Sequence, residues 1–381
     1  WAPRAQAQLA ARFGRRMLAY IIRRLLLIIP TLFGIMVLNF AIVQFAPGGP
    51  VEQTIARLKG TAVSVTTPIV GSESDLGAKA TDKSGGEESE YRGARGLDPA
   101  IIKQIEHMYG FDKPAYERFF MMMKDYLTFN FGSSFFKGRP VVDLVIEKMP
   151  VSISIGLWTT LIMYLVSIPL GIAKAVRDGS SFDLWTTVVI VCASAIPGYM
   201  FAIMLIIVFA GGSFVQWFPL QHLTSPDWDL MTWPQRILDY LWHLVLPLVA
   251  LLIGSFASLT LLTKNSFLDQ INQQYVITAR AKGLTERRVL YGHVFRNAML
   301  IVIAGFPGAF IGILFTGALL IEIIFNLDGL GYLGYEAVIS RDYPIMFGTL
   351  YVLTLIGLVT QLVSDLTYTI VDPRIDFEAR A

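Results

Sequence analysis

The segment LWHLVLPLVALLIGSFASLTLL, residues 241–262, contains 22 residues and no Asp, Glu, Lys or Arg. The hydrocarbon core of a bilayer is about 30 Å thick and is crossed by roughly 20 apolar residues in a helix. Because lipid offers no hydrogen-bond partner, a spanning segment has to satisfy its own backbone N–H and C=O groups, and a helix does so internally. This segment therefore predicts a transmembrane helix.

Further apolar runs of similar length predict the same structure: 25–46, 151–173, 184–211, 299–325 and 345–371. Of the 381 residues, 54% are hydrophobic and only 16% are charged, which departs strongly from the usage of soluble domains. We predict an all-α, polytopic membrane protein with six transmembrane helices. Kinks are expected at the prolines inside the runs, which are Pro30, Pro169, Pro197, Pro247 and Pro307.

Lys and Arg are distributed unevenly between the two sets of loops. One set holds 16 of them, in the N-terminal tail, 174–183, 263–298 and 372–381, whereas the short loops of the other set hold only Arg236 and Arg341. Short cytoplasmic loops are enriched in Lys and Arg, so both termini are predicted to be cytoplasmic. The net charge is only +2 and the basic residues are scattered, which makes nucleic acid a poor candidate partner.

The regions outside the core 151–371 differ in character. Residues 1–18 are read as an N-terminal cytoplasmic extension, with the natural start expected at Met17, and 19–46 as the first transmembrane helix. The large region 47–150 after it is predicted to be periplasmic. The tail 372–381 returns to the cytoplasm.

Within that periplasmic region, the segment 59–95 is rich in Gly, Ser and Thr and has a single aromatic residue, Tyr91. Such a composition buries too little apolar surface to offset the entropy of ordering, so we predict a mobile insert. From Asp98 onward apolar residues recur at helical spacing, and Asp98 followed by Pro99 is typical of a helix start. Two short helices packed on the membrane domain are predicted there.

Sites of covalent or metal chemistry are not indicated by the sequence. It contains no phosphate-loop lysine motif, HExxH pair, CxxC pair or GxSxG motif, its single cysteine is Cys192, and its four histidines are scattered. We predict no catalytic residue, no metal site and no cofactor in this chain. Asp365, in the last apolar run, is the main charge within the spans, and two interpretations stay open, a structural interhelix hydrogen bond or a proton relay of an ion-coupled carrier.

Small residues recur every four positions in two of the runs, with Ala250 opening one series and Ala304 the other. The candidate positions that follow them are Gly254, Ser258, Gly308, Gly312 and Thr316. Such stripes let helix backbones approach closely. Plain helix packing and the lining of a translocation path are both compatible with this pattern.

Between two apolar runs lies QYVITARAKGLTERRVLYGHVFRNA, residues 274–298, with five Lys or Arg against one acid. We predict a helix over 273–282, a left-handed stop at Gly283, and Thr285 as the N-cap of a second helix. A thin helix with small residues at Thr278, Ala279 and Ala281 could enter a groove of a partner protein. An amphipathic loop held by lipid headgroups is the alternative.

ITARAKG, residues 277–283, resembles the EAAxxxG loop of ABC importer permeases, with Ile277 and Thr278 in place of the first Glu and Ala. YGFDKPAYERF at 109–119, FGSSF at 131–135, GLGYLGYEAVISRDYP at 329–344 and VDPRIDF at 371–377 resemble the dipeptide and oligopeptide branch of that family. The insert, APGGP at 46–50 and RNAMLIVIAGFP at 296–307 are most similar to its Yej-type members. Two positions depart from the family pattern. Asp328 stands before GLG where relatives often have Pro, and Ile301 stands after RNA where many relatives have Pro.

The resemblance implies a permease subunit of the bacterial inner membrane that takes up peptides, including microcin C-like peptides. Its implied partners are a second permease subunit, one or two ABC ATPase subunits that bind ATP and Mg, and a periplasmic peptide-binding protein. The loop implied to dock on the ATPase consists of Ile277, Thr278, Ala279, Arg280, Ala281, Lys282 and Gly283. Contact with the binding protein is expected from Tyr335, Arg341 and Asp342. An ion-coupled transporter using Asp365, or a structural membrane scaffold, would be the alternatives.

Overall fold

The structure is a computed structural model that describes residues 2–45, 111–211, 214–312 and 318–371, with a few single positions between 51 and 107. Within these residues the secondary structure is helical, apart from one isolated β-bridge between Ser133 and Pro140. The predicted all-α class is confirmed.

The helices are α1 Ala2–Phe45, α2 Ala115–Tyr126, α3 Val141–Val176, α4 Ser181–Ser194, α5 Gly198–Phe209, α6 Trp233–Ile271, α7 Gln274–Ala281, α8 Glu286–Val289, α9 Phe295–Gly312, α10 Ala318–Ile324, α11 Leu330–Ser340 and α12 Tyr343–Val371. A 3-10 turn at Trp228–Leu230 precedes α6. A π-helical turn at Leu290–Val294 joins α8 to α9. Residues 2–18, which were assigned to the N-terminal extension, are part of helix α1.

In the described part of the chain, five helical segments are long and apolar enough to cross a bilayer: Ala19–Gln44, Val141–Val176, Trp233–Ile271, Glu286–Phe310 and Tyr343–Thr367. The predicted span 184–211 is instead two helices, α4 and α5, bent by 87° relative to each other. Counting this pair as one broken span gives six. The prediction of a single span was therefore too simple at this place.

Pro197 explains the break, because it stands immediately before α5 and its ring lacks the N–H that would continue α4. The other four prolines flagged in the sequence, Pro30, Pro169, Pro247 and Pro307, lie inside helices that continue through them. Neighbouring helices and side chains can re-satisfy the carbonyls that such prolines free. One of the five predicted kink sites thus becomes a true helix break.

The chain divides into two compact units, Trp1–Glu147 with Leu333–Thr354, and Lys148–Tyr332 with Leu355–Ala381. In the first, α2 confirms the second of the two short helices predicted after the first span, and Phe119 packs edge-on against Phe40 of α1 at 5.2 Å. The other short helix, Asp98 as its cap, and the insert 59–95 lie outside the described residues.

The second unit is organised around one buried apolar cluster. It draws residues from α3, α5 and α6, from α7 and α8, and from α9 and α10. Phe267 of α6, Val276 of α7 and Val302 of α9 are each fully buried in it. The polar segment between α6 and α9 therefore packs, through Val276, on the same core as the long helices.

Helices α3 and α6 lie close together at Gly171, where a Cβ would lie 2.6 Å from Thr263 Cβ and 2.8 Å from the Thr260 carbonyl oxygen. We expect Gly171→Ala to destabilise the protein by roughly 1–3 kcal/mol, because backbone has to move to admit the methyl group. Thermal unfolding in detergent measures this.

Gly254→Ala is the matched control, because no atom lies within 4 Å of a Cβ at Gly254. Its midpoint should be unchanged or slightly raised, since Ala favours a helix by up to about 1 kcal/mol over Gly. Equal midpoints for the two variants would contradict the close approach of α3 and α6.

Candidate functional site

The basic stretch between α6 and α9 folds as a short helix, a turn and a second helix. Two residues separate the end of α6 from the start of α7, and α8 continues through the π-helical turn into α9. The predicted helix, stop and second helix are all found, with boundaries within a residue of those expected. The stretch is thus a compact structured element and is continuous with two long helices.

Helix α7 ends in the arrangement predicted for Gly283, whose φ is +77°. The Gly283 N–H donates to the Arg280 carbonyl at 2.9 Å, and the Leu284 N–H donates to the Ala279 carbonyl at 3.4 Å. These two bonds form a Schellman motif, in which a left-handed residue closes the last carbonyls of a helix. Leu284 then packs on the buried cluster, as the motif's apolar contact requires.

Thr285 occupies the N-cap position of α8 with extended backbone, as predicted. Its carbonyl accepts hydrogen bonds from the N–H groups of Arg288 and Val289, both at 2.9 Å. Its side chain makes no capping hydrogen bond, so the expected side-chain role of Thr285 is wrong. The helix start depends on the backbone alone.

Helix α7 has one buried and one exposed face. Val276 and Ala279 are buried in the apolar cluster with Phe267. Ala279 was predicted to be part of the docking surface, and this is corrected, because its methyl group faces the chain's own core. Of the seven residues 277–283 predicted to dock, the side chains that remain exposed are Ile277, Thr278, Arg280, Ala281 and Lys282.

Arg280 is paired within its own chain. Its guanidinium donates to both carboxylate oxygens of Glu286, at 2.9 and 3.1 Å, across the turn between α7 and α8. Such a bidentate pair fixes the guanidinium plane as well as the charge. An acid on another protein would have to compete with Glu286 for Arg280, whereas Arg287 and Arg288 are simply exposed.

The small-residue series divides into buried and exposed members. Ala250 and Ala304 are buried, and the Ala304 carbonyl accepts a hydrogen bond from Ser364 Oγ at 3.0 Å. Gly254, Ser258, Gly308 and Gly312 are exposed, and Thr316 lies outside the described residues. Packing against the described part of this chain therefore explains the small side chains of Ala250 and Ala304 only. That the exposed positions line a translocation path stays a prediction.

Of the predicted binding-protein contacts, Tyr335 is 39% exposed and Arg341 is half-buried with φ +58°. Asp342 is 2% exposed, and its carboxylate accepts hydrogen bonds from Ser134 Oγ and from the Phe135 N–H. Asp342 as a surface contact is therefore corrected. Its carboxylate instead fixes the turn at residues 134–135.

Asp365 is buried at the end of the last span and accepts a hydrogen bond from Gln361 one helical turn earlier, at 3.3 Å. An interhelix hydrogen bond is present in this region, and its donor is Ser364, whose Oγ reaches the Ala304 carbonyl of α9. This contact joins α9 to α12 beside Asp365, and the role of Asp365 itself stays a prediction.

Sequence reasoning missed Glu322 of α10, which is fully buried. It accepts hydrogen bonds from Ser152 Oγ at 2.7 Å and from the Tyr332 N–H at 2.8 Å. A Cβ on Gly329 or Gly331 would overlap its carboxylate, so the glycines of the GLG motif leave room for it. An acid in the apolar run ALLIEII shortly before GLG was the available signal.

We expect Glu322→Gln to destabilise the protein by about 1–3 kcal/mol, because the amide brings a donor against the backbone donor of Tyr332. Glu336→Gln is the control, since Glu336 makes an exposed ion pair with Lys137 and such pairs contribute at most about 1 kcal/mol. Thermal unfolding of both variants in detergent compares them. Equal losses would show that the carboxylate of Glu322 is not specifically required.

Comparison with known proteins agrees with this architecture. Residues 167–377 match the family described as binding-protein-dependent transport system inner membrane component. The peptidoglycan transport system permease protein YejB of Agrobacterium fabrum (strain C58 / ATCC 33970) is 59% identical over 363 residues, which are 95% of this chain and 99% of that protein. The oligopeptide transport system permease protein AppB of Bacillus subtilis (strain 168) is 32% identical over 366 residues, 95% of this chain and 100% of that protein.

The inner membrane ABC transporter permease protein YejB of Escherichia coli O157:H7 is 58% identical over 363 residues, 95% of this chain and 100% of that protein. Among solved structures, a chain of the MetNI methionine ABC transporter aligns with 61% of this chain and 97% of its own at a TM-score of 0.46 and 16% identity. That structural likeness is too weak to carry an argument.

The chain has long apolar helices, and the polar segment between α6 and α9 packs on their core. Together with the relatives, these features define a multi-pass α-helical membrane transport protein. The chain belongs to the binding-protein-dependent transport system inner membrane components, the permease family of ABC importers. Transport systems of this kind combine a permease with an ATPase and a binding protein. The resemblance noted in the sequence is confirmed.

Proposed function

We propose that this chain is the permease subunit of an ATP-driven importer that takes up peptides across the bacterial inner membrane. The observation that carries the proposal is helix α7, a short helix with an exposed face, seated on the core by Val276 and Ala279 and ended by Gly283. The names of the relatives, which include peptidoglycan and oligopeptide transport, support peptides as the substrate class. Microcin C-like peptides are part of this proposal.

In this proposal both termini and the 274–298 stretch face the cytoplasm. The excess of Lys and Arg in that set of loops supports this orientation. One or two ATPase subunits bind ATP and Mg on that side, since the sequence contains no phosphate-loop motif. A second permease subunit completes the path, and a periplasmic binding protein delivers the peptide.

The docking surface is the exposed face of α7, with Ile277, Thr278 and Ala281 as its small or apolar part and Lys282 beside them. The buried face passes displacement into the membrane helices, because a close-packed cluster shifts rather than compresses. This chain breaks no bond. Its work is a switch between two arrangements of its helices, driven by the ATPase.

Reconstituted vesicles test the proposal against the carrier that would use Asp365. Wild-type complex should take up peptide with ATP and loaded binding protein in the absence of any ion gradient. Uptake that needs a proton or sodium gradient and ignores ATP would replace the importer with the carrier. If peptide is transported under neither condition, the chain would be a structural membrane scaffold.

Gly283→Val should uncouple ATP hydrolysis from peptide uptake while the complex still assembles. A β-branched residue at positive φ is strained by roughly 1–2 kcal/mol, and no atom lies within 4 Å of a Cβ there, so the strain is in the backbone. The end of α7 would be redirected together with Arg280. Uptake and ATPase activity stimulated by the loaded binding protein are measured on purified complex.

Gly283→Asn is the control, because Asn adopts the left-handed region far more readily than Val. It should keep most of the uptake. Wild-type uptake by Gly283→Val would show that this turn does not transmit motion and would return the stretch to a lipid-facing connector.

A photo-crosslinking residue at Tyr335 should trap the binding protein in a peptide-loaded, ATP-bound complex, because Tyr335 is exposed in the motif expected to face the periplasm. The same residue at Asp342 should trap little, since that side chain is buried. Mass spectrometry of the products identifies the partner. A yield at position 335 no higher than at position 342 would count against this contact surface.

A further inference from the structure

Lys174, near the end of α3, carries a fully buried ammonium group. It lies 2.9 Å from Asp183 Oδ1 and donates to the Asp183 carbonyl at 2.8 Å and to the hydroxyls of Thr186 and Thr187 at 2.9 and 2.6 Å. A buried charge is tolerated when it is paired and hydrogen-bonded in this way. Lys174 therefore binds the end of α3 to the first turns of α4.

Lys264 of α6 reaches the same carboxylate from the other side. Its Nζ lies 2.7 Å from Asp183 Oδ2 and 2.8 Å from Asp178 Oδ1, and the Gly179 N–H also donates to Asp183 Oδ2, at 3.2 Å. Asp183 is thus shared by lysines from two helices. We call Lys174, Asp178, Asp183 and Lys264 the ion network.

The ion network lies beside the place where α3 and α6 come close together. Gly171 is one turn before Lys174, and Thr263, which a Cβ at Gly171 would overlap, is next to Lys264. Small residues at this crossing bring the backbones together but offer few side chains that interdigitate. The ion network adds directional contacts at this crossing, where the packing of small residues alone would hold α3 and α6 together weakly.

The same segment of α6 supports α7. Lys264 precedes the end of α6 at Ile271 by two turns, about 10 Å along the helix axis. Phe267, one turn after Lys264, is fully buried in the cluster that holds Val276 and Ala279. A displacement of α7 is therefore passed first to the part of α6 that carries Lys264.

We propose that the ion network transmits displacement of α7 from α6 to α3 and α4, with Lys264 as the positioning residue. This inference rests on the proposed function, in which α7 receives motion from an ATPase. Without Lys264, the end of α6 that precedes α7 can move while α3 and the broken span of α4 and α5 keep their positions. With it, the three helix ends move as one body.

An ionic connection suits this task because its geometry is specific. Replacing a buried ion pair by apolar side chains is often neutral for stability, whereas removing one partner leaves a charge uncompensated. Stability alone does not require charges at this position. What charges add is a defined distance between Lys264 and Asp183, which apolar surfaces that slide past each other do not keep.

The test uses the complete complex in lipid vesicles, with binding protein purified together with its bound peptide. Lys264→Met should keep the subunit ratio and the basal ATPase rate, but the stimulation of ATPase by loaded binding protein should fall about tenfold, within the usual range of coupling between sites. Lys264→Arg keeps the charge and should restore most of the stimulation. A role in stability alone would lower the unfolding midpoint and leave stimulation per assembled complex unchanged.

Lys148→Met is the matched control. Lys148 lies on α3, as Lys174 does, and pairs with Asp328. Its side chain is 12% exposed, against 14% for Lys264 of α6, but it lies far along α3 from the ion network. It should keep the stimulation. An equal loss in both variants would overturn the specific role of the ion network.

If Lys264→Met does not assemble, Lys264→Gln carries the same prediction, since it keeps a hydrogen bond to Asp183 without the charge. Wild-type stimulation and uptake by the assembled Met or Gln variant would overturn the inference and leave the proposed function intact. Failure of the wild-type complex to take up peptide with ATP would instead remove the proposed function itself.

Discussion

Burial of Val276 and Ala279 in the apolar cluster that also contains Phe267 is the interaction on which the rest of the functional architecture depends. It turns a polar loop into a part of the membrane core, because one face of α7 belongs to the same close-packed cluster as α3, α6 and α9. A loop held only by lipid headgroups would move independently of those helices. With this contact, a force applied to the exposed side of α7 reaches the long helices through atoms that already touch.

Two glycines position the helices around this buried face of α7, each for a different physical reason. Gly283 is required by its backbone, since φ is +77° and the space around it is open. Gly171 is required by its neighbours, since backbone and side-chain atoms of α6 occupy the place of a Cβ. The first ends α7 and directs the chain into α8, while the second allows α3 to lie close enough for the ion network to form.

Buried charges organise the chain at three separate places. Asp342 fixes a turn through Ser134, Glu322 lies between Ser152 and the backbone of Tyr332, and Lys174 joins the ends of α3 and α4. Asp342 and Glu322 have hydrogen-bond partners from a distant part of the sequence, whereas the partners of Lys174 lie 9 to 13 residues further along the chain. All three charged groups are hydrogen-bonded, as buried charges require. None of these partners could be identified by spacing, and Asp342 was for this reason assigned to the surface.

The sequence by itself determined the all-α membrane class, five of the spans, the helix and stop at residues 274–283, and the family. The class, the spans and the stop follow from local chemistry, namely apolar length and a glycine after a helical pattern, whereas the family follows from the resemblance of ITARAKG and the other motifs to known permeases. The tertiary structure alone decided that Ala279 faces inward, that Pro197 among five prolines breaks its helix, and that Glu322 and Lys174 are buried. Burial and hydrogen-bond partners depend on which distant segments meet, and a single chain's local pattern does not contain that information.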